Sequence, residues 1–501
     1  METDEGTKSP NSGKPTVGLK IAYGFGASAF GIKNNGFDYF LLLFYGTVIG
    51  LEPGLVGLAI LIALVFDAIS DPLVGYWSDN FRSRWGRRHP FMYAAALPVG
   101  LTYFLLWNPP ELDQLGLFLY LTCLAVLIRT LITFYETPST ALLPELSSDY
   151  AERTNLQSYR LFFGWSGGNI MSVLMFGVLL AGEGGMQSRE GFETYGIIAG
   201  TLIFLTIMVS AIGTHHRIPT LSKPSANTER YSVRRIFREM IETLSEKSFI
   251  TLFFTMVFAS ISTGIATSLS FIMLNYFWGF SEAQIFIWTA TVFFSAFLGF
   301  LIAPRVTRRF GKKEASIGLG VLAFSIAPAP VILRLLGLMP ENGDPILFPL
   351  VLAINVIDLA LIIAVQAVVY SMIADLVESN QLKTGRRSEG VYYASITFTR
   401  KTTQGLGVLA GGLILSAVAF PQGAAPETVS QDTLWWLGAY YAPSLVFMWS
   451  VMLFCISRYR IDRNAHEENL RKLAQSARRY RTSRNRSGIV EKSPSGASDG
   501  T

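Results

Sequence analysis

Charged and sulfur-containing side chains are scarce in this sequence of 501 residues. Only 15% of the residues are Asp, Glu, Lys or Arg, whereas 50% are hydrophobic. A soluble chain of this length needs more charge on its surface, so the composition indicates a membrane protein with several spans. The two cysteines, Cys123 and Cys455, lie in apolar runs, where they are expected to pack as small hydrophobic side chains and to form no disulfide.

Motifs for enzymatic chemistry are absent from the sequence as well. No nucleophile–base pair, phosphate-binding glycine loop or cluster of metal ligands can be recognised, so neither an ATP-driven pump nor a membrane enzyme has support. No metal site and no cofactor is predicted. The first twenty residues are polar and contain no apolar core of a signal peptide, so the N-terminus is expected to stay in the cytosol.

Long apolar runs divide the chain into twelve predicted transmembrane helices. A helix that crosses the bilayer needs about 20 mainly apolar residues. The runs cover residues 21–49, 54–77, 90–108, 115–137, 158–181, 194–213, 248–275, 283–303, 314–338, 346–373, 389–417 and 433–457. The predicted fold is therefore an all-α membrane protein.

The connections between these runs alternate in charge. One set carries Lys or Arg in every member, at residues 82–88, 145–160, 215–238, 305–313 and 381–387. In the other set Arg189 is the only basic residue. Because basic connections stay on the cytoplasmic side, the pattern predicts that both termini are cytoplasmic, and we expect a multi-pass protein of the plasma (inner) membrane.

The longest basic connection splits the helices into two sets of six. The predicted domains are a cytosolic tail (1–20), a six-helix bundle (21–216), a central cytosolic loop (217–247), a second six-helix bundle (248–458) and a basic, partly disordered tail (459–501). Gly86-Arg87-Arg88 after the second helix recurs as Gly311-Lys312-Lys313 after the eighth. Six-helix repeats around a central loop are typical of the major facilitator fold, whose substrate site lies between the halves. We expect the repeated loops to gate the conformational change, through Arg84, Gly86, Arg87, Arg88, Gly311 and Lys312.

Two carboxylates in the second span are the first functional candidates, because each central Asp costs roughly 2.5–3.5 kcal/mol in hydrocarbon. Asp67 and Asp71 are four residues apart and so share one helix face. Such a pair can bind one monovalent cation through several oxygens or share a proton. Pro72 removes a helix hydrogen bond beside them. The alternative is that the pair only neutralises Lys33 or Lys401.

Five other spans carry polar candidates. Those predicted to contact a substrate are Asn34, Asn35 and Asp38 in the first span, Tyr135 and Glu136 in the fourth, and Arg160 in the fifth. Arg400 precedes Lys401 in the eleventh span and points about 100° away from it. Arg400 is therefore expected to face a neighbouring helix or headgroups, with Asp358 of the tenth span as one candidate partner.

These motifs together resemble one transporter family. The sequence reads Asp-Ala-Ile-Ser-Asp-Pro at 67–72, followed by the basic loop at 82–90, with Tyr-Gly-Phe-Gly-Ala at 23–27, Arg-Leu-Phe-Phe at 160–163 and Ser-Met-Ile-Ala-Asp at 371–375. This combination covers both halves and resembles the glycoside–pentoside–hexuronide:cation symporters of the major facilitator superfamily. Lysophospholipid and other solute carriers share the motif at 67–72.

The resemblance implies roles for individual residues. Asp67 and Asp71 match the carboxylates that bind Na+, Li+ or H+ in that family, and Lys401 matches a lysine that balances their charge. Glu136 matches an acid that binds sugar hydroxyls, and Arg160 matches the arginine of the fifth helix.

The sequence departs from the family pattern at two substrate positions. Gly31 stands where sugar transporters of the family have an aspartate, and Thr140 stands where they have a tryptophan. Asp38 lies seven residues beyond Gly31, about 10 Å along the helix axis, and is a poor substitute. The resemblance therefore predicts the coupling chemistry more directly than it predicts the identity of the substrate.

The function predicted from the sequence is cation-coupled symport of a sugar, glycoside or related polar solute by alternating access, with Na+ or H+ as coupling ion. The expected partners are a small-molecule solute, a monovalent cation and the lipid bilayer. No nucleic acid is expected to bind, and the chain is expected to be a monomer. The alternatives are a carrier of lysolipids or other amphiphiles, and a membrane sensor or scaffold that transports nothing.

Overall fold

The computed structural model describes residues 15–147, 150–182, 184–221, 247–384 and 389–458. Every regular element within these ranges is a helix. Most of the predicted N-terminal tail, most of the central loop, much of the connection at 381–387 and nearly all of the basic C-terminal tail lie outside the described residues.

The described helices form twelve successive units. The first, α1, consists of Val17–Phe25, Ala27–Asn35, Gly36–Phe40, Leu41–Leu43 and Phe44–Ile49. The next five are α2 (Pro53–Asn80), α3 (His89–Leu106), α4 (Gln114–Leu146), α5 (Tyr150–Leu174, continued by Met175–Leu179) and α6 (Arg189–His215). The last six are α7 (Lys247–Ile272, continued by Met273–Phe277), α8 (Glu282–Phe310), α9 (Lys312–Ile326 and Ala329–Leu335), α10 (Leu347–Thr384), α11 (Glu389–Ala417) and α12 (Gln431–Ser457).

The prediction of an all-α membrane protein is confirmed. Ten of the described helices are long and apolar enough to cross a membrane, and the other two units are α1 and α11. Several helices are longer than predicted: α4 continues to Leu146 where 137 was expected, and α10 continues to Thr384 where 373 was expected. Apolar runs mark only the part of a helix inside the bilayer, and Pro138 lies within α4 although the predicted span ends just before it.

The first helix contains two π-helical segments, Gly36–Phe40 and Phe44–Ile49. A π segment inserts an extra residue into the helical turn and is often found at functional sites. Asp38 lies in the first of them. The corresponding helix of the second half, α7, also ends in a π segment, Met273–Phe277.

Glycines allow α1 to cross α5 at very close range. A Cβ atom at Gly31 would lie 1.8 Å from the carbonyl oxygen of Gly164, and one at Gly168 would lie 2.7 Å from the carbonyl oxygen of Gly31. Atoms cannot approach this closely, so only glycine fits. The helix crossing therefore explains why position 31 has no acidic side chain.

The two halves contact each other through α1 with α7, α2 with α11, and α5 with α8. Several cross-half hydrogen bonds lie at the end of the bundle away from the loop at 82–88. There Gly423 N donates to Thr47 O at 2.8 Å, Gly54 N donates to Ser416 Oγ at 3.1 Å, and Gln187 hydrogen-bonds to Tyr276. We call this region, from Thr47 to Gly54 with Ser416 and Gly423, the sealed end.

The repeated loops at the opposite end use glycines with left-handed backbone. Gly86 has φ +75° and Gly311 has φ +88°, values that other residues rarely adopt. Arg87 and Arg88 both form ion pairs with Glu145 of α4, the latter at 3.0 Å, and Arg88 also pairs with Asp79 at 3.1 Å.

Two other predicted gating residues, Lys312 and Arg84, make different contacts. Lys312 Nζ donates to Ser371 O at 3.3 Å. Arg84 lies over the ring of its neighbour Trp85, with 5.9 Å between the guanidinium carbon and the ring centroid. Gly86 and Arg87 thus belong to an ion-paired loop, whereas Arg84 is exposed. Their gating role stays a prediction.

Glu145→Gln is expected to destabilise the first half by about 3 kcal/mol, because both arginines and Glu145 are largely buried and removing one partner of a buried ion pair leaves uncompensated charge. Thermal unfolding of the purified protein measures the loss. The control is Glu193→Gln, which removes an exposed pair with Arg189 and should change stability by less than about 1 kcal/mol. Equal effects of the two changes would contradict the assignment of Glu145 as a structural anchor.

Candidate functional site

An ion-paired cluster joins the two halves at the carboxylate pair of α2. The ammonium group of Lys401, from α11, lies 3.1 Å from Asp67 Oδ2 and 2.5 Å from Asp71 Oδ2. Asp67 is 1% exposed, whereas the side chain of Asp71 is 29% exposed. One face of α2 thus presents both carboxylates to a cation of the other half, and Asp71 is the member that solvent or an ion can reach.

A threonine of α4 adds an oxygen to this cluster. Thr133 Oγ1 lies 3.2 Å from Asp67 Oδ1, 3.0 Å from Asp71 Oδ1 and 3.0 Å from its own helix at Arg129 O. A hydroxyl has one hydrogen and can serve one of these acceptors fully. Three side-chain oxygens therefore converge on one hydroxyl hydrogen, which leaves lone pairs free on the two carboxylates. Oxygen ligands of this kind suit a small monovalent cation or a proton.

Arg129 is a site residue that the sequence reasoning missed. Its guanidinium lies 3.2 Å from Asp67 Oδ2 and 4.6 Å from the ring centroid of Phe37, and the residue is 2% exposed. Arg129, Thr133 and Glu136 follow one face of α4 at helical spacing. A charged residue in the middle of the fourth apolar run was the signal that could have identified it.

Lys33 of α1 is buried close to the same cluster. It is 1% exposed, lies 4.7 Å from the ring centroid of Phe30, and interacts electrostatically with Asp67, Glu136 and Arg129. Asp67 therefore has three cations near it, one each from α1, α4 and α11. The alternative in which the pair is neutralised by Lys33 or Lys401 predicts the same contacts.

Glu136 and Arg160 flank the cluster on the side of α5. Glu136 is half-buried and accepts no hydrogen bond from any described residue, so its carboxylate is available to a solute. Arg160 donates to Ser139 Oγ at 2.9 Å and to Thr140 Oγ1 at 2.8 Å, and lies over the ring of Tyr23. Thr140, at the position of the family's tryptophan, thus holds the arginine in place.

Two of the predicted substrate contacts are placed elsewhere by the structure. Tyr135 is 1% exposed, and its hydroxyl is packed against Gly26 of α1 and Ser210 of α6. Its ring points into the first bundle, and its contact with a substrate stays a prediction. Asn35 accepts a hydrogen bond from Ser172 Oγ at 2.7 Å and links α1 to α5. Asn34 is half-buried with no hydrogen-bond partner among the described residues.

Asp38 faces the second half of the protein. It interacts with the side chain of Gln404 and electrostatically with Arg129, Lys33 and Arg400. Asp358, the candidate partner of Arg400, forms no ion pair with it, and Asp358 Oδ1 has no hydrogen-bond partner among the described residues. Asp358 lies instead near Tyr441 of α12.

Among the described residues, no group of three or more His, Cys, Asp or Glu side chains is arranged to hold a metal ion. The polar centre of the protein is the cluster of Asp67, Asp71, Thr133, Arg129 and Lys401, with Glu136 and Asp38 beside it.

Comparison with known proteins identifies the family. Residues 22–463 match the family described as MFS/sugar transport protein. The chain is 36% identical over 199 residues to a protein of Synechocystis sp. described as an uncharacterized symporter, sll1374; this match covers 38% of the chain and only 36% of that relative. It is 24% identical over 389 residues to the isoprimeverose transporter of Lactiplantibacillus pentosus, covering 75% of each chain.

Solved structures give the same fold. A bacterial homolog of the human lysosomal transporter Spinster, in an inward-facing and unoccupied conformation, superposes with a TM-score of 0.59 at 15% identity, covering 91% of this chain and 97% of that one. These relatives are transporters and not enzymes, and the apolar helices make this chain a multi-pass integral membrane protein. Since the match spans both halves and the ion-paired cluster between them, the chain belongs to the family of MFS/sugar transport proteins.

Proposed function

We propose that the protein is a symporter that couples a monovalent cation, Na+ or H+, to a sugar, glycoside or related polar solute. The observation that carries the proposal is the bridge from Lys401 of the second half to Asp67 and Asp71 of the first. A cation that binds the two carboxylates competes with Lys401 for the same oxygens. Cation binding therefore changes an interaction between the halves, which is what alternating access requires.

The solute site of this proposal lies next to the cation site. Glu136 supplies a free carboxylate for hydroxyl groups, Arg160 is positioned by Ser139 and Thr140, and Asp38 and Asn34 face the same region from α1. Because solute and cation share one conformation, each must raise the affinity of the other by the same factor. The names of relatives, such as the isoprimeverose transporter, support a sugar-like solute. The expected location is the plasma membrane, with one chain as the transport unit.

The cation is expected to raise the affinity of the wild type for its solute at least tenfold. This increase should be lost in Asp67→Asn and Asp71→Asn. Binding is measured on purified protein with a panel of glycosides, by thermal stabilisation, with NaCl against choline chloride at constant ionic strength and with a pH series free of Na+. The first comparison reports Na+ coupling and the second reports H+ coupling.

The matched control is Asp432→Asn, because Asp432 is exposed in the first turn of α12, away from the cluster. It should bind like the wild type. Unchanged cation dependence in both Asp67→Asn and Asp71→Asn would remove the carboxylate pair from the coupling mechanism. If lysolipids bind and glycosides do not, the solute is an amphiphile and not a sugar.

A further inference from the structure

A cavity of about 160 Å³ lies inside the second half, separate from the carboxylate pair. Helices α7, α9, α10, α11 and α12 all contribute to its wall. The polar part of the lining comes from Arg400, Gln404, Gln366, Ser260, Thr255 and Thr263. Met256, Trp449 and Met452 supply apolar surface. Polar groups that converge in a largely apolar hollow are typical of a small-molecule site.

Arg400 is the only charged residue in the lining, and it has no ion-pair partner within the part of the chain that the structure describes. Asp38 acts on it electrostatically across the boundary between the halves, without forming an ion pair. A guanidinium inside a membrane protein needs compensation for the water it has lost. Arg400 lines the cavity, so a ligand that occupies it can contact the guanidinium.

Among the described residues, the formal charges around the centre of the protein also leave one positive charge in excess. The cations are Lys33, Arg129, Arg160, Arg400 and Lys401, and the carboxylates near them are Asp38, Asp67, Asp71 and Glu136. Asp358 lies apart from this group, beside Tyr441. A bound Na+ adds a second positive charge, so a neutral solute would leave the loaded centre with two uncompensated charges.

We propose that Arg400, Gln404 and Gln366 form an anion subsite in the second half, which binds a carboxylate or sulfonate group of the transported solute. This inference rests on the proposed symport function and narrows its substrate class to acidic polyols and sugar acids. The planar guanidinium can donate two parallel hydrogen bonds to an oxyanion, and the amide groups of the two glutamines supply further donors. The hydroxyl end of the same solute would reach Glu136 and Arg160 in the first half.

A solute bound in this way would contact both halves of the protein. A polar head held by the second half and hydroxyls held by the first would bind well only when the halves approach each other. A neutral glycoside would lack the first of these contacts. Because the half-buried guanidinium then stays unpaired, the subsite discriminates against neutral analogues, as sites built for a hydrogen-bonding group do.

The test uses matched pairs of neutral and anionic probes on the full-length protein in nanodiscs with NaCl present. The pairs are methyl β-D-glucoside with methyl β-D-glucuronide, methyl α-D-galactoside with methyl α-D-galacturonide, and glycerol with 2,3-dihydroxypropane-1-sulfonate. In at least one pair the anionic member should bind at least tenfold more tightly to the wild type. Arg400→Gln should reduce that preference to within twofold while Na+-dependent binding of the neutral member persists.

Two further variants separate charge from geometry. Arg400→Lys keeps the charge without the planar fork and should retain only part of the preference, whereas Arg305→Gln, at an exposed position of α8, should retain all of it. The subsite is overturned if the wild type binds neutral members equally well, or if Arg400→Gln keeps the preference for the anion.

The outcomes for the two proposals are distinct. Na+-dependent binding of neutral members without an anionic preference leaves the symport proposal intact and removes the subsite. An anionic preference that depends on Arg400 but not on any cation leaves the subsite and removes the coupling. If neither member of any pair binds to the wild type, both proposals fail.

Discussion

Gly31→Asp is expected to prevent the first bundle from packing, although it restores the acid that related sugar transporters carry at this position. The new Cβ atom would lie 1.8 Å from the carbonyl oxygen of Gly164. That oxygen belongs to the backbone of α5, so neither helix can move away without losing the rest of the α1–α5 contact. Overpacking a core costs typically 1–3 kcal/mol, and we expect more than about 3 kcal/mol here because backbone is involved.

Thermal unfolding and the monodisperse fraction after purification measure this effect. Gly18→Asp is the matched control: the same substitution in the same helix, at a glycine with no heavy atom within 4 Å of the added Cβ. An acidic residue in the first turn of a helix is tolerated or mildly favourable, so this variant should behave like the wild type. A Gly31→Asp protein as stable as the wild type would show that the crossing is wider than described.

Lys401→Gln is expected to increase the affinity for the coupling cation at least tenfold while abolishing concentrative uptake of solute. The ammonium group occupies the position between Asp67 and Asp71 that a cation would take. Removing it leaves Asp67 with Arg129 as its direct ion-pair partner and Asp71 with no ion pair among the described residues, and breaking a buried ion pair costs about 3 kcal/mol or more. A bound Na+ recovers part of this cost, so Na+ should stabilise the variant more than the wild type.

The measurement is the unfolding temperature as a function of NaCl, with choline chloride at equal ionic strength, together with uptake into proteoliposomes. Lys401→Arg preserves the charge and should keep the weaker Na+ response of the wild type. If Lys401→Gln instead responds to Na+ less than the wild type, the lysine supports the ion site rather than competing for it.

Hydrophobic runs and basic loops were sufficient to predict the fold. Twelve runs correspond to the twelve helical units because hydrocarbon admits only helices with satisfied backbone groups. Helix ends were less predictable: α4 and α10 continue as helix into polar sequence, where hydropathy carries no signal. Pro138 does not end α4, because a proline within a membrane-protein helix can be accommodated by its neighbours.

The site was only partly predictable. Asp67 and Asp71 could be singled out because two carboxylates in an apolar run need a reason, and the structure places Lys401 beside them. The burial of Tyr135 could not be predicted, because Tyr135 and the neighbouring Glu136 point to different faces of α4 and only the packing against Gly26 and Ser210 shows where the tyrosine lies. The positions of Arg129 and Thr133 beside the carboxylates depend on the angle at which α4 crosses α2, and no sequence pattern determines that angle.

The sealed end determines how easily the protein changes conformation. Glu52 accepts hydrogen bonds from the backbone N–H groups of Gly54 and Leu55 within its own half, and from Ser416 of the other half. When the halves separate there, Glu52 keeps its role as the cap of α2 and water replaces the serine, so each lost hydrogen bond costs only about 1 kcal/mol. Opening this end therefore costs little from the hydrogen bonds of Glu52, and the binding energy of one cation and one solute can offset such a cost.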